Sequence, residues 1–318
     1  MEVIDPSQAA PPGGSGRAVT IGVFDGVHLG HLRLLERLTA SAKGQGWQTA
    51  VVTFDPHPAT VVHPQPPVKL LGGLDQRLEL LAAAGIDVTM VIPFDLARSQ
   101  ESAEDFVEEV LVGALRTRAV VVGPDFRFGH QRRGDVALLE HMGESLDFQV
   151  LTVDALAARG APVSSTRIRQ AVAAGDMGSA AEMLGRPYQM RGLVERGDGR
   201  GATIGFPTAN VVVAPDVAVP AEGIYAGWLA VGEGWRRAAA VSLGRRPTFY
   251  GDEAELALEA YVIDFDGDLY GQTARVDLVE MIRSQERFDD VDALVAQIER
   301  DVEATRALLE QVTGPGRL

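Results

Sequence analysis

The chain of 318 residues contains no cysteine. That excludes a disulfide framework, a thiolate zinc or iron–sulfur centre, and a cysteine nucleophile. Lysine is nearly absent: Lys43 and Lys69 are the only two, and the other basic residues are arginines. We read that as codon usage and draw no function from it. Basic residues are the minority, with 29 Lys and Arg against 44 Asp and Glu. The resulting charge of −15 is spread over both halves and does not suit a general nucleic-acid binder. No apolar run approaches the roughly 18 residues of a membrane span. Residues 1–17 lack the basic and apolar regions of a signal peptide, and Ala9-Ala10-Pro11-Pro12-Gly13-Gly14-Ser15-Gly16 reads as flexible. A soluble, cytoplasmic protein with neither nucleic acid nor membrane as partner is expected.

What is present is a globular composition, 46% hydrophobic and 23% charged. The length exceeds the ~250–300 residues at which one core stops growing, so two domains are expected. The first part alternates strand and helix signals. Apolar runs at 18–24, 50–54, 86–92, 119–123 and 148–153 are separated by helical patterns after Gly30, at 74–84, 102–115 and 135–142. This alternation predicts an α/β domain with an open parallel sheet covered on both faces. Near Gly185-Arg186-Pro187 the pattern changes to six short alternating runs at 188–195, 209–213, 224–231, 236–242, 255–263 and 274–282. They predict a small antiparallel barrel. A closing helix carries the stripe Val291, Leu294, Val295, Ile298, Val302 and Leu309, with Asp289 or Asp290 as its cap. The expected boundaries are a tail over 1–17, a first domain over 18–185 and a second over 186–318.

The strongest local signal is Gly22-Val23-Phe24-Asp25-Gly26-Val27-His28-Leu29-Gly30-His31. A strand ends, the chain turns, and His28 and His31 open a helix whose first N–H groups lack partners. Such an end is a ready anion site. Gly30 leaves room for a phosphate to reach the backbone. The plain alternative is a pair of surface histidines at a helix start. A zinc site is the weaker reading, because the pair is not spaced i,i+4 and has no acidic third ligand nearby.

The segment resembles the HxGH nucleotidyltransferases, and within them the bacterial bifunctional riboflavin kinase/FAD synthetases. Three later blocks resemble the same family in its order: Thr53-Phe54-Asp55-Pro56-His57-Pro58, Val122-Gly123-Pro124-Asp125-Phe126-Arg127-Phe128-Gly129, and Val163-Ser164-Ser165-Thr166-Arg167-Ile168-Arg169. Ser164, Ser165 and Thr166 can cap the following helix, and Arg167 and Arg169 add positive charge there, which suits a triphosphate. An ordinary cap with solvated arginines is the alternative. The resemblance implies a Rossmann-like N-terminal domain that binds ATP through Gly22, Phe24, Asp25, Gly30, Ser164, Ser165, Thr166 and Arg167. It implies flavin contacts from Asp55, His57, Pro58, Asp125, Phe126 and Phe128. The phenylalanines read equally well as core.

The second domain carries an independent match. Gly197-Asp198-Gly199-Arg200-Gly201-Ala202-Thr203-Ile204-Gly205-Phe206-Pro207-Thr208-Ala209-Asn210 resembles the riboflavin-kinase loop, and it is not a Walker A loop because Gly-Lys-Ser/Thr is missing. Its glycines suit a phosphate cradle, with Gly197, Gly199, Arg200, Gly201 and Thr203 as ATP contacts. Thr208 and Asn210 offer hard oxygen ligands for Mg²⁺. The alternative is a glycine-rich hairpin. Pro220-x-x-Gly223-Ile224-Tyr225, Ser242-Leu243-Gly244-x-x-Pro247-Thr248-Phe249 and Ile282-Arg283-x-x-Glu286-Arg287-Phe288 resemble further kinase blocks. Along 255–263, Leu256, Leu258, Ala260 and Val262 alternate with Glu259 and Tyr261. The resemblance implies that Glu259 is the general base for the ribityl 5′-hydroxyl; a solvated strand carboxylate is the alternative. Tyr261 stands where the family often has His. Arg283 and Phe288 are expected to border the flavin.

The expected function is two ATP- and Mg²⁺-dependent steps. Riboflavin is phosphorylated to FMN, and FMN is then adenylylated to FAD with release of pyrophosphate. His28, His31 and Glu259 are the expected catalytic residues. A monomer or weak homo-oligomer acting on small molecules is expected. One active half alone, or a non-catalytic flavin or nucleotide sensor, stays open at the level of sequence.

Overall fold

A computed structural model describes residues 1–6, 16–63, 65–197, 199–246 and 255–313. Contacts divide the chain into two compact units, Met1–Ser165 and Thr166–Leu318.

The first unit follows the β/α alternation. Its elements are β1 (Glu2–Ile4), β2 (Arg17–Ile21), α1 (Leu29–Lys43), β3 (Gln48–Asp55), α2 (Pro58–Val62), α3 (Leu74–Ala83), β4 (Val88–Pro93), α4 (Ala103–Phe106), β5 (Thr117–Val122), α5 (Val136–Leu146) and β6 (Gln149–Thr152). The six strands lie in the order β1-β4-β3-β2-β5-β6, and every neighbouring pair is parallel. Both faces are covered, as the apolar strands require. Val51, Ala119 and Val121 pack on one side with Leu35, Leu38 and Leu81. Val52, Met90, Ile92 and Val120 pack on the other with Phe106, Leu111 and Leu139. Helix α1 exists because Leu35, Leu38 and Ala42 recur on one face and His28 caps its start.

Two features differ from expectation. The flexible tail over 1–17 does not begin as a tail: β1 adds to the sheet edge beside β4, and Ile4 is buried there. Three residues are too few for alternation to signal. Residues 7–15 lie outside the described residues. The single helix over 102–115 is α4 followed directly by a π-helical stretch, Val107–Ala114, in which the Leu115 N–H reaches the Val110 carbonyl five residues back.

A two-residue-strand hairpin, β7 (Ala157–Ala158) with β8 (Ala161–Pro162), precedes α6 (Ser165–Ala173). The division between units falls one residue into α6. In the second unit, α6 continues and α7 (Met177–Leu184) packs on the barrel strands β9 and β14. The expected barrel is closed and six-stranded. It comprises β9 (Tyr188–Glu195), β10 (Thr208–Val213), β11 (Gly223–Val231), β12 (Trp235–Arg246), β13 (Glu255–Val262) and β14 (Thr273–Ser284), in the order β10-β13-β12-β11-β14-β9. A four-residue helix, α8 (Arg200–Thr203), sits in the loop before β10. Helix α9 (Val291–Thr313) covers β11, β12 and β14, and Asp290 supplies its cap by accepting the Ala293 N–H at 2.8 Å. The block Pro247-Thr248-Phe249 lies outside the described residues.

Inside the second unit, the fully buried Tyr188 hydroxyl donates to the Ala218 carbonyl at 2.6 Å. Tyr188→Phe removes that bond and is expected to lower stability by about 0.5–1.5 kcal/mol, read as a reduced urea midpoint at unchanged slope.

Candidate active sites

In the first unit the chain leaves β2 through a turn that uses the left-handed region three times, at Phe24 (φ 53°), Gly26 (φ 77°) and Val27 (φ 35°). His28 then returns to extended backbone and caps α1, its Nδ1 accepting the His31 N–H at 3.2 Å. Because Nδ1 accepts, the proton of a neutral His28 sits on Nε2. The two imidazoles stack with centroids 3.6 Å apart, and the Phe24 ring lies 4.9 Å from that of His31. His31 Nδ1 is buried without a hydrogen-bond partner. Burial, reinforced by the His28 imidazole, holds the His31 pKa well below the usual imidazole value. Gly30 has no space for more: a Cβ there meets the His28 ring at 3.2 Å and the Val163 carbonyl at 3.6 Å.

The other expected ATP contacts fall into distinct places. Asp25 is buried, and both its carboxylate oxygens accept the Leu71 N–H, at 2.9 and 3.2 Å. Phe24 is core, packed over Gly22. The Ser165 hydroxyl donates to the Asp25 carbonyl at 3.0 Å, which ties the start of α6 to the histidine turn, and Ser164 precedes it half-buried. Thr166 and Arg167 continue the first turn of α6, exposed and half-buried.

Beside the strand ends lies a cavity of about 680 Å³ within the first unit. Phe54, Phe94, Phe106, Phe126 and Phe128 line it together with His57, Pro58 and Gly22. Phe126 and Phe128 stack at 5.4 Å, and Phe54 meets Phe94 edge-on at 5.6 Å. A largely apolar hollow of this size, with five phenylalanines on its wall, suits a flat ring system of drug size. His57 caps α2 through Nδ1, which accepts the Ala59 N–H at 3.0 Å. Neither Asp55 nor Asp125 is on the wall. Asp55 lies 3.7 Å from Arg77, and Asp125 is exposed. Sequence reasoning did not single out Phe94 or Arg77 as site residues.

In the second unit the glycine loop closes on itself. The Gly201 carbonyl accepts the N–H groups of Ile204 and Phe206 at 3.1 and 2.9 Å, and a Cβ on Gly201 meets the Phe206 carbonyl oxygen at 2.3 Å. Gly199 and Gly205 take positive φ, and Gly197 and the exposed Thr203 flank the turn, in which Arg200 opens α8. Asp198 lies outside the described residues. The barrel register sets Glu259 opposite Asn210 of β10 on one side and Ser242 of β12 on the other, and Thr208 opposite Tyr261. Leu258, Ala260, Ala209 and Val211 are buried while Thr208, Asn210 and Glu259 are half-buried, so these three share the other face. A hydroxyl, an amide carbonyl and a carboxylate form an all-oxygen donor set that fits Mg²⁺, an ion that keeps waters and takes phosphate oxygens. Among the described residues no group of three or more His, Asp or Glu side chains is placed to hold a metal.

Tyr261, the departure from the family pattern, packs edge-on against Phe206 at 5.2 Å under α9. Arg283 grips Asp301 of α9 with Nε at 2.9 Å and Nη2 at 2.7 Å, and lies 5.7 Å over the Phe288 ring. That grip raises its pKa further.

A family model described as FAD synthetase matches residues 11–167, and one described as riboflavin kinase matches residues 184–309. A bifunctional riboflavin kinase/FMN adenylyltransferase from Listeria monocytogenes is 37% identical over 297 residues, 93% of each chain. The chain belongs to this bifunctional family. The Escherichia coli member is 37% identical over 287 residues, 90% of each chain. A crystal structure from Streptococcus pneumoniae, titled a macrolide-efflux protein, matches with a TM-score of 0.86 at 30% identity over 96% of this chain and 99% of that one. No described helix here is long and apolar enough to cross a membrane.

The depressed pKa of His31 has a consequence for stability. The unfolded chain takes up this proton near the ordinary imidazole pKa of about 6.5, and the folded chain does so only well below it. Stability is therefore unaffected by His31 at neutral pH and falls as the pH drops below about 6.5. His31→Asn is expected to weaken the fall in melting temperature between pH 7.5 and 5.5, measured against the parent chain.

Proposed function

We propose that the chain performs its family's two reactions at the two sites just described, each half using ATP. The family is one of bifunctional riboflavin kinases and FMN adenylyltransferases, with the FAD synthetase half first.

In the barrel, Glu259 accepts the proton of the riboflavin 5′-hydroxyl as that oxygen attacks the γ-phosphorus of ATP; the bond to ADP breaks and FMN is formed. The barrel register, which sets Glu259 beside Asn210 with Thr208 on the same strand, supports this reading. Thr208 and Asn210 would hold Mg²⁺, which supplies positive charge to the phosphates when bound. The turn over 197–203, with its glycines, Arg200 and Thr203, lies against the nucleotide. Phe288 and the end of β14 border the flavin, with Arg283 held in place by Asp301.

In the first unit, an oxygen of the FMN phosphate attacks the α-phosphorus of a second ATP, the α–β bridging bond breaks, and pyrophosphate leaves. No covalent nucleophile is needed. His28, with its proton on Nε2, and His31 donate to oxygens that gain charge in the transition state. The orphaned, buried Nδ1 of His31 supports a site that is completed by substrate. Ser164 and Ser165 contribute donors toward the phosphates, and Gly22, Asp25 and Gly30 shape the turn. The aromatic cavity lined by Phe54, His57, Pro58, Phe126 and Phe128 supports isoalloxazine binding there. The same reading has the enzyme acting in the cytoplasm on small molecules, as a monomer or weak homo-oligomer. The charge of −15 supports leaving nucleic acid out.

The single observation that carries the division of labour is that His28, His31 and the aromatic-lined cavity lie in the unit Met1–Ser165, and Thr208, Asn210 and Glu259 in the unit Thr166–Leu318. His28→Ala is expected to lower FMN adenylylation by about 10²–10³-fold while riboflavin phosphorylation stays near parent. Glu259→Gln is expected to lower phosphorylation by about 10²–10⁴-fold and spare adenylylation. Chromatography of riboflavin, FMN and FAD after incubation with ATP and Mg²⁺ reads both. Parallel loss of both activities in either folded variant contradicts the assignment.

A further inference from the structure

Arg77, on α3, has a side chain only 4% exposed. Its Nη1 donates to the Val23 carbonyl at 3.0 Å, the Thr53 hydroxyl at 3.0 Å and the Phe54 carbonyl at 2.9 Å. Nη2 lies 3.7 Å from the Asp55 carboxylate. The Thr53 hydroxyl donates in turn to the Val23 carbonyl at 3.0 Å. Nε is buried with no hydrogen-bond partner. Burial lowers the Arg77 pKa despite the opposing pull of Asp25 and Asp55. A group so poorly solvated adds little net stability over an apolar replacement, so the geometry it imposes is the better reason for its presence.

That geometry is specific. The β2–β3 pairing ends with the Gly22 N–H on the Val52 carbonyl at 3.0 Å. Past that bond the two chains separate. One continues from Val23 into the turn that delivers His28, and the other continues from Phe54 into the loop that carries His57 and Pro58. The guanidinium bridges the two carbonyls just where the sheet stops doing so. Val23 and Phe54 are also both wall residues of the aromatic cavity, so the bond pair sits behind the cavity floor.

We propose that Arg77 is a positioning residue for adenylyl transfer: it fixes the spacing between the His28 turn and the His57 loop, and with it the approach of the FMN phosphate to the α-phosphorus. This rests on reading the His28 turn as the nucleotide site and the cavity as the flavin site. Lysine is an incomplete substitute: Nη1 alone bonds both carbonyls, but a single ammonium has no second nitrogen to face Asp55 and no rigid plane to fix the direction of the first. A misplacement of about 1 Å between reacting groups is enough to cost about 10²-fold.

The test uses the full chain with Arg77→Met and Arg77→Lys. Calorimetric titration with FMN gives the fraction of competent sites, and a single-turnover experiment with saturating FMN, ATP and Mg²⁺ gives the adenylylation rate per competent site. The expected result for Arg77→Met is a loss of about 10²-fold in that rate, FMN affinity within about fivefold of parent, and riboflavin phosphorylation within about twofold. Arg77→Lys is expected to lose less, and so carries the test if the Met variant fails to fold. Thr53→Val, which removes one acceptor and leaves the guanidinium, is expected to show a smaller loss in the same rate. A rate per competent site within about twofold of parent in the folded Arg77 variants overturns the proposal, even if fewer sites bind FMN, because that pattern is purely structural. Full adenylylation by His28→Ala would instead remove the underlying site reading, whatever the Arg77 variants do.

Discussion

Asp25 accepts one backbone N–H with both carboxylate oxygens and offers its own carbonyl to the Ser165 hydroxyl. Around it the chain holds Phe24 and Val27 at positive φ, where a bulky or β-branched side chain costs of order 1–3 kcal/mol. Such a turn persists only when its surroundings over-determine it, and Asp25 supplies part of that hold. It anchors the turn to the segment before α3 and to the start of α6 at once. His28 can then enter α1 in extended geometry, cap the helix, and stack on His31.

The barrel reaches its site by a different route. There the positions follow from pairing alone: once β13 lies between β10 and β12, Glu259 must face Asn210 and Ser242. A slip of one residue would carry the carboxylate to the buried face and expose Leu258 or Ala260. The hydrophobic alternation that builds the core therefore also places the acid. In the first unit a local, costly turn organises the histidines; in the second, a regular ladder organises the oxygens.

This contrast explains what the sequence disclosed. The barrel was legible because its alternation has period two over six runs, and the side of Glu259 could be read from its leucine neighbours. The parallel sheet was legible from its apolar runs, and the histidine turn from a motif contiguous in sequence. Arg77 was not legible. It occupies an ordinary position on an amphipathic helix, and its burial depends on two carbonyls 23 and 54 residues away in the chain. The cavity was only partly legible, because its five phenylalanines come from four separate segments that meet only in the fold. The switch from α to π geometry at Val107 has no local signal; within that stretch the Leu111 carbonyl accepts the Thr117 hydroxyl, six residues on, at 2.6 Å.

The parallel sheet and the barrel also differ in what they leave uncovered. A closed barrel has no unpaired strand edge, whereas an open sheet has two. Among the described residues those two edges are β1, three residues long, and β6, four residues long. Such stubs give an incoming strand little ladder to extend. The unexpected order at the very start of the chain thus serves a protective purpose: β1 shields the longer β4 behind it and makes the first unit a poor template for self-association through its backbone.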